Sequence, residues 1–263
     1  MLSRFKAGDT VAALMALGTH AEYVYMAEEE LVPVPAGLDP GEAVCLVLNY
    51  VTAYQMLHRI ARLQGGQRIL VHSAAGGVGT ALVELASLAG LECYGTASHG
   101  KLGLVSRLGA HAIDYRSEDF VAAVHALAAN GVDAAFDAIG GANWLRSHRC
   151  LARGGLLVAF GAQGALAGGV RHRGTEVANF AAGALLYLLQ AITRRRFTFY
   201  SITAERRRHP DWFIADLTAL FQLLAAGKIQ PIVAQRFPWR DARTANELLE
   251  SGTVQGKIVL TAG

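Results

Sequence analysis

Two hydrophobic periodicities divide the chain. Residues 10–34 read as short apolar and polar alternations broken by glycines and prolines, with candidate strands at Thr10–Leu14, Ala21–Tyr25 and Leu31–Val34. Pro40 then opens a long helical stretch, Glu42–Leu63, whose apolar and aromatic positions predict burial. From Ile69 onward, strand-length apolar runs alternate with helix-period segments. The candidate strands are Ile69–His72, Glu92–Thr96, Ala112–Asp114, Ala134–Asp137, Leu156–Phe160 and Thr198–Ile202. Helical stretches between them include Thr80–Ala89, Phe120–Ala129 and Ala142–Leu151. After Gly227 the texture is again short and β-like, at Ile232–Phe237 and Lys257–Leu260, with a helix at Arg240–Leu249. The alternation predicts an α/β doubly wound parallel sheet with its ligand at the carboxyl ends of the strands. The likeness of the two chain ends predicts that this sheet is inserted between two parts of a smaller β unit.

Composition narrows the class. With 263 residues, 52% of them hydrophobic and 17% charged, the chain can bury a sizeable core. The mean hydropathy of +0.29 comes from Ala, Val, Leu and Gly spread along the chain. Its longest membrane-like segment, Phe180–Ile192, has thirteen residues and is followed by Arg194, Arg195 and Arg196. That length predicts a buried or subunit-interface helix and no stable membrane insertion. Residues 1–9 carry no apolar export core. Cys45, Cys93 and Cys150 are widely spaced and form no CxxC, which points to the reducing cytoplasm. The nine histidines include no HExxH and no pair at helical spacing, so no metal site is expected. A net charge of +3, with basic clusters at Arg194–Arg196 and Arg206–Arg208, suits a solvated rim or an anionic small molecule better than nucleic acid.

The strongest local signal is Ile69-Leu70-Val71-His72-Ser73-Ala74-Ala75-Gly76-Gly77-Val78-Gly79. A strand, a glycine turn and a helix place backbone N–H groups against a pyrophosphate. About 20 residues further on, where a carboxylate would bond the ribose 2′-hydroxyl of NADH, the sequence has Ser98-His99-Gly100-Lys101. A hydroxyl and a cation there match a 2′-phosphate, so the expected cofactor is NADPH. Tyr115, after the third strand, is a further candidate for the adenosine end.

Several stretches together resemble the medium-chain dehydrogenase/reductase superfamily, in its zinc-free quinone oxidoreductase (zeta-crystallin-like) branch. They are Phe5-Lys6-Ala7-Gly8-Asp9-Thr10-Val11, Ala21-Glu22-Tyr23-Val24, Asn49-Tyr50-Val51-Thr52-Ala53-Tyr54, the glycine turn, Phe136-Asp137-Ala138-Ile139-Gly140-Gly141 and Gly256-Lys257-Ile258-Val259-Leu260. The resemblance implies a Rossmann sheet at residues 46–228, inserted in a partial GroES-like catalytic domain made of residues 1–45 and 229–263. It implies hydride transfer from NADPH to a quinone, an enone or a similar activated double bond, without metal, in a homodimer. It places Asn49 and Thr52 at the nicotinamide side of the cleft, Ala138 and Ile139 under the cofactor, the backbone of Phe160-Gly161-Ala162 at the carboxamide, and Tyr200 beside the nicotinamide or substrate. Ala75, Gly76, Gly77, Val78 and Gly79 hold the pyrophosphate in this reading, and Ser98, Lys101 and Tyr115 the 2′-phosphate. Relatives begin with further GroES-like strands, so the chain reads as starting inside that domain. Two other readings follow from the same resemblance: a catalytically weakened, NADPH-binding or membrane-associated scaffold, and a zinc alcohol dehydrogenase whose ligands lie in those absent strands.

For an enone acceptor, an enolate oxygen needs a donor, and Thr52, Tyr54 and Asn49 are the candidates. An unperturbed tyrosine is a poor acid at neutral pH, so a solvent proton serves the final step equally well. A short-chain dehydrogenase is excluded, because no tyrosine has a lysine four residues on.

Overall fold

The computed structural model describes residues 4–15, 17–19, 21–161 and 173–262. A short antiparallel pair, β1 (Val11–Ala12) and β2 (Val32–Pro33), leads into a helical rod. Asp39 caps the rod by accepting the Glu42 N–H at 2.9 Å, with Pro40 pre-set for the first turn. The rod is α-helical at α1 (Pro40–Cys45) and α2 (Val51–Tyr54), and wider π turns fill Leu46–Tyr50 and Gln55–Ile60. Ala21–Tyr25, expected as a strand, is instead irregular and exposed, with Tyr25 at 99%. Among the described residues no strand pairs with it, so its alternation has no ladder to support it.

Six parallel strands form the main sheet: β3 (Arg68–Val71), β4 (Glu92–Ala97), β5 (His111–Asp114), β6 (Val132–Asp137), β7 (Leu151–Ala159) and β8 (Arg196–Phe199). Their order is β5-β4-β3-β6-β7-β8, so the winding reverses between β3 and β6. Strand alternation sorts the core into two layers. Ile69, Val71, Phe136 and Val158 face a layer with Leu46, Val51, Leu82 and Phe221, while Leu70, Ala135 and Leu157 face Phe120, Trp144 and Phe197. Helices α3 (Gly77–Leu88), α4 (Leu102–Arg107), α5 (Phe120–Leu127) and α6 (Ala142–Arg149) connect the strands. This is the doubly wound α/β sheet the patterning predicts.

Helix α7 (Arg173–Thr193) runs seven residues upstream of Phe180, and this corrects the length expected from the apolar stretch alone. Gly174–Thr193 is long and apolar enough to cross a membrane by length and composition. Ala182 and Leu186 nonetheless seat it against Trp144 and Phe197 of the sheet's second layer. Strand β8 then ends at Phe199 instead of continuing to Ile202, which opens α8 (Ile202–Arg208). Helix α9 (Pro210–Ala225) follows, and β9 (Val233–Pro238), α10 (Ala242–Glu250) and β10 (Lys257–Thr261) complete the chain, with β9 and β10 paired in parallel.

One buried ion pair ties the rod to α9. Arg59 Nε donates to both oxygens of Asp216, at 3.0 and 2.8 Å, and Gln55 Nε2 donates to Asp216 Oδ2 at 2.9 Å. The Arg59 guanidinium also lies 4.6 Å from the Trp212 ring. Asp216→Ala strands a guanidinium and an amide, and is expected to cost about 2–3 kcal/mol, less than for a fully enclosed pair. Arg59 retains 27% side-chain exposure, which is the reason for the discount. The urea midpoint should fall with an unchanged slope; an unmoved midpoint would show that the clamp contributes nothing.

Candidate active site

The turn after β3 is built by close approach. Ser73 adopts φ +53°, and its carbonyl accepts the Gly76 N–H at 2.9 Å. A Cβ on Gly79 would stand 2.1 Å from that carbonyl oxygen, so only glycine fits there. The first helical bond of α3 is Thr80 N–H to Gly76 O, which leaves the preceding N–H groups of Gly77, Val78 and Gly79 for a ligand. A cleft of about 240 Å³ opens above this turn, at the point where the strand order reverses. Asn49 and His72 line one part of it, Ala138 and Phe160 at the ends of β6 and β7 another. Asn49 stands in the first π turn of the rod, 5% exposed, with its amide against Gly77.

The carboxyl-terminal segment closes the other side, which the sequence reading missed. Gly256 N–H donates to the Ala75 carbonyl at 2.9 Å, bringing Leu249, Lys257 and Ile258 to the cleft. Gly256 has φ +80°, and a Cβ there would meet the Ile232 carbonyl at 2.2 Å. The Gly256-Lys257 pair was visible as a motif, but its position 180 residues beyond Gly76 hid its place at the site.

A second cluster stands at the ends of β4 and β5. Lys101 Nζ donates to the Val254 carbonyl at 2.7 Å. Partial burial lowers its pKa, and the neighbouring Arg116 guanidinium lowers it further. Tyr115 is 51% exposed, and Arg116 lies 5.9 Å from its ring. Ser98 precedes the turn that carries Lys101, whose N–H it accepts through its carbonyl at 2.8 Å. The one buried acid nearby, Asp114, turns back to accept the Arg116 N–H at 3.0 Å and meets His99 at 3.4 Å.

Other expected site residues are placed differently. Thr52 and Tyr200 are both buried and do not line the cleft, and the Tyr200 hydroxyl donates to Gln55 Oε1 at 2.8 Å. Burial raises the Tyr200 phenol well above its ordinary range. Tyr54 is half-buried with its ring 4.5 Å from His58, and is not brought into the cleft. Ile139 contributes its backbone, and Gly161 follows β7 against Ala138. Ala162 lies outside the described residues.

Beneath the cleft runs a buried polar network that patterning did not reveal. Asp137 Oδ1 accepts the Ile139 N–H at 2.8 Å and the Gly140 N–H at 3.4 Å. Its Oδ2 accepts Asn143 Nδ2 at 2.8 Å and the Ser147 hydroxyl at 2.6 Å. Ser147 has spent its proton, so it accepts from His72 Nε2 at 2.9 Å, and His72 Nδ1 then accepts the Thr96 hydroxyl at 3.0 Å. Burial lowers the His72 pKa; the neighbouring Asp137 opposes this and Arg146 adds to it. Among the described residues, no group of three or more His, Cys, Asp or Glu side chains could hold a metal ion.

Comparison with known proteins agrees with this geometry. The family described as zinc-binding dehydrogenase matches residues 108–260. The quinone oxidoreductase of Pseudomonas aeruginosa is 33% identical over 98% of this chain and 76% of its own length. A synaptic vesicle membrane protein VAT-1 homolog from Danio rerio is 30% identical over 97% of the chain, which spans only 53% of that relative. The Escherichia coli quinone oxidoreductase solved in complex with NADPH superposes with a TM-score of 0.85 at 28% identity, over 99% of this chain and 77% of that one.

His72 has an ordinary value of 6.5, lowered in the folded chain, so the unfolded state takes up the proton that the folded state refuses. Stability is therefore complete above about pH 6.5 and falls as the pH drops, by at most about 1.4 kcal/mol per unit for this one group. Burial shifts His58 and His148 the same way, so His72→Gln should flatten the slope without abolishing it. Thermal midpoints at pH 7.5 and 5.5 measure this, and identical slopes would overturn the burial argument for His72.

Proposed function

Because the chain belongs to the medium-chain dehydrogenases/reductases matched by the zinc-binding dehydrogenase family, in their zinc-free quinone oxidoreductase-like branch, we propose that it is an NADPH-dependent reductase of quinones, enones or similar activated double bonds. The observation that carries this reading is the glycine cradle with its Lys101, Tyr115 and Arg116 cluster one strand away. NADPH fits the residues present. The unspent N–H groups of Gly77, Val78 and Gly79 at the start of α3 suit a pyrophosphate, and a cluster whose near acid is turned away suits a 2′-phosphate. When bound, NADPH supplies the hydride. The chain's own part is to bind it, with Gly76–Gly79 and Lys257 at the pyrophosphate, and Ala138, Ile139, Phe160 and Gly161 against the nicotinamide end. Asn49 is a polar side chain at the cleft wall and donates to the oxygen that gains charge on the acceptor. Thr52 acts from behind that wall, and a quinone that has received the hydride takes its one remaining proton from water.

We divide the chain into a cofactor domain at 46–228 and a partial GroES-like domain at 1–45 and 229–263, and place it in the cytoplasm, consistent with three free, buried cysteines. A homodimer through the β8 edge is part of the same proposal, because Phe199 is 56% exposed on that edge strand, and Tyr187, Leu188 and Ile192 are exposed on the helix that precedes it. A second reading, membrane association, rests on the same α7 face with Arg194–Arg196 after it.

Fluorescence titration should show NADPH binding about ten-fold or more tighter than NADH, with the preference erased by Lys101→Ala while the glycine turn still binds both. Equal affinity of the unaltered chain for the two would remove the 2′-phosphate assignment. Sedimentation velocity should show a dimer that Phe199→Glu with Ile192→Glu converts to monomer. A monomer that instead pellets with phosphatidylserine vesicles would favour the membrane reading.

A further inference from the structure

Asp137 is fully buried, and among the described residues no lysine or arginine stands within 4.0 Å of it. The nearest ionisable group is His72 at 3.9 Å, which burial keeps neutral. A buried carboxylate without a cation is costly, and hydrogen bonds offset only part of that cost. All four of its partners donate: two backbone N–H groups, the Asn143 amide and the Ser147 hydroxyl. The carboxylate is therefore held by a network of donors with no cation beside it. Its place is specific. Asp137 ends β6, where the sheet order reverses, and the residues on both sides of it in space, Ala138 and His72, form the cleft wall. The same carboxylate fixes the Ile139-Gly140 backbone just past that wall. The guanidinium of Arg146, the cation that acts on His72, is turned away to Asp119 at 3.0 Å and to the Phe120 ring.

We propose that Asp137 is an electrostatic positioning residue whose uncompensated carboxylate, held behind the cleft wall, favours the oxidised and positively charged nicotinamide ring over the neutral reduced one. This rests on the dinucleotide reading of the cleft. Hydride departure moves two electrons and one hydrogen nucleus to the acceptor, and the ring left behind carries a positive charge. The acceptor then takes a proton from water. A fixed negative charge in a water-poor wall stabilises that cation in the transition state and in the product complex, and has little effect on the neutral ring. The neutral tautomer of His72, with Nε2–H on Ser147 and Nδ1 accepting from Thr96, belongs to the same device, because an imidazolium 3.9 Å away would cancel the field.

A purely structural role would weaken both cofactor forms alike, so the ratio of their affinities separates the two. Isothermal titration with NADP⁺ and with NADPH should show that Asp137→Asn raises the dissociation constant for NADP⁺ about ten-fold more than that for NADPH. Ser147→Ala keeps the carboxylate and should hold the ratio within about two-fold of the unaltered chain. Should Asp137→Asn fail to fold, the exchange Asp137→Asn with Asn143→Asp returns a carboxylate to the same hydrogen-bonded pair. The ratio of that exchange variant should stay near that of the unaltered chain, while Asp137→Ser, which removes the charge and keeps a small polar group, should shift it. Equal weakening of both forms by the variants without the carboxylate overturns the inference alone. An unaltered chain that binds neither dinucleotide overturns the dinucleotide reading, and the inference with it.

Discussion

The Ser73 carbonyl oxygen stands where any side chain on residue 79 would collide with it, and the site is organised around that contact. The approach lets the chain leave β3, turn in five residues and enter α3 with its first N–H groups unspent. It also presents the Ala75 carbonyl outward, where Gly256 N–H captures it and brings β10 over the turn. One tight backbone contact thus fixes both the floor of the cleft and the segment that covers it. The amide of Asn49 packs on Gly77 from the third side, so the rod is registered to the same turn.

Around the turn, polar groups are used in two ways. The Arg59–Asp216 clamp is a matched pair that ties the rod to α9, and its charge is neutralised where it stands. Asp137 is the opposite case: four donors satisfy its lone pairs, and among the described residues its one basic neighbour within 4.0 Å, His72, is held neutral by burial. A protein interior tolerates the first as structure. The second carries an electrostatic field into the cleft, and a field has consequences for whatever charge develops there.

Helix α7 shows why exposure has to be read together with docking. Its sequence is apolar enough for a membrane, yet Ala182 and Leu186 lock one stripe onto Trp144 and Phe197, which leaves Phe180, Tyr187, Leu188 and Ile192 open on the other. Strand β8, which follows α7 in the chain, is an edge of the sheet, and its Phe199 is exposed as well.

Sequence by itself determined what depends on near neighbours. Strand alternation, helix period and the glycine spacing at Gly76–Gly79 made the parallel sheet, the turn and the missing carboxylate near Ser98–Lys101 legible, because each is a property of a few consecutive residues. Contacts across long loops were not legible. The tertiary structure alone decided that Gly256 and Lys257 close the cleft, that Gln55 is spent on Tyr200 and Asp216, and that His72, Asp137 and Ser147 form one chain of hydrogen bonds. Those partners lie up to 180 residues apart, and no local periodicity encodes a meeting that is settled only when the sheet has wound and its helices have packed.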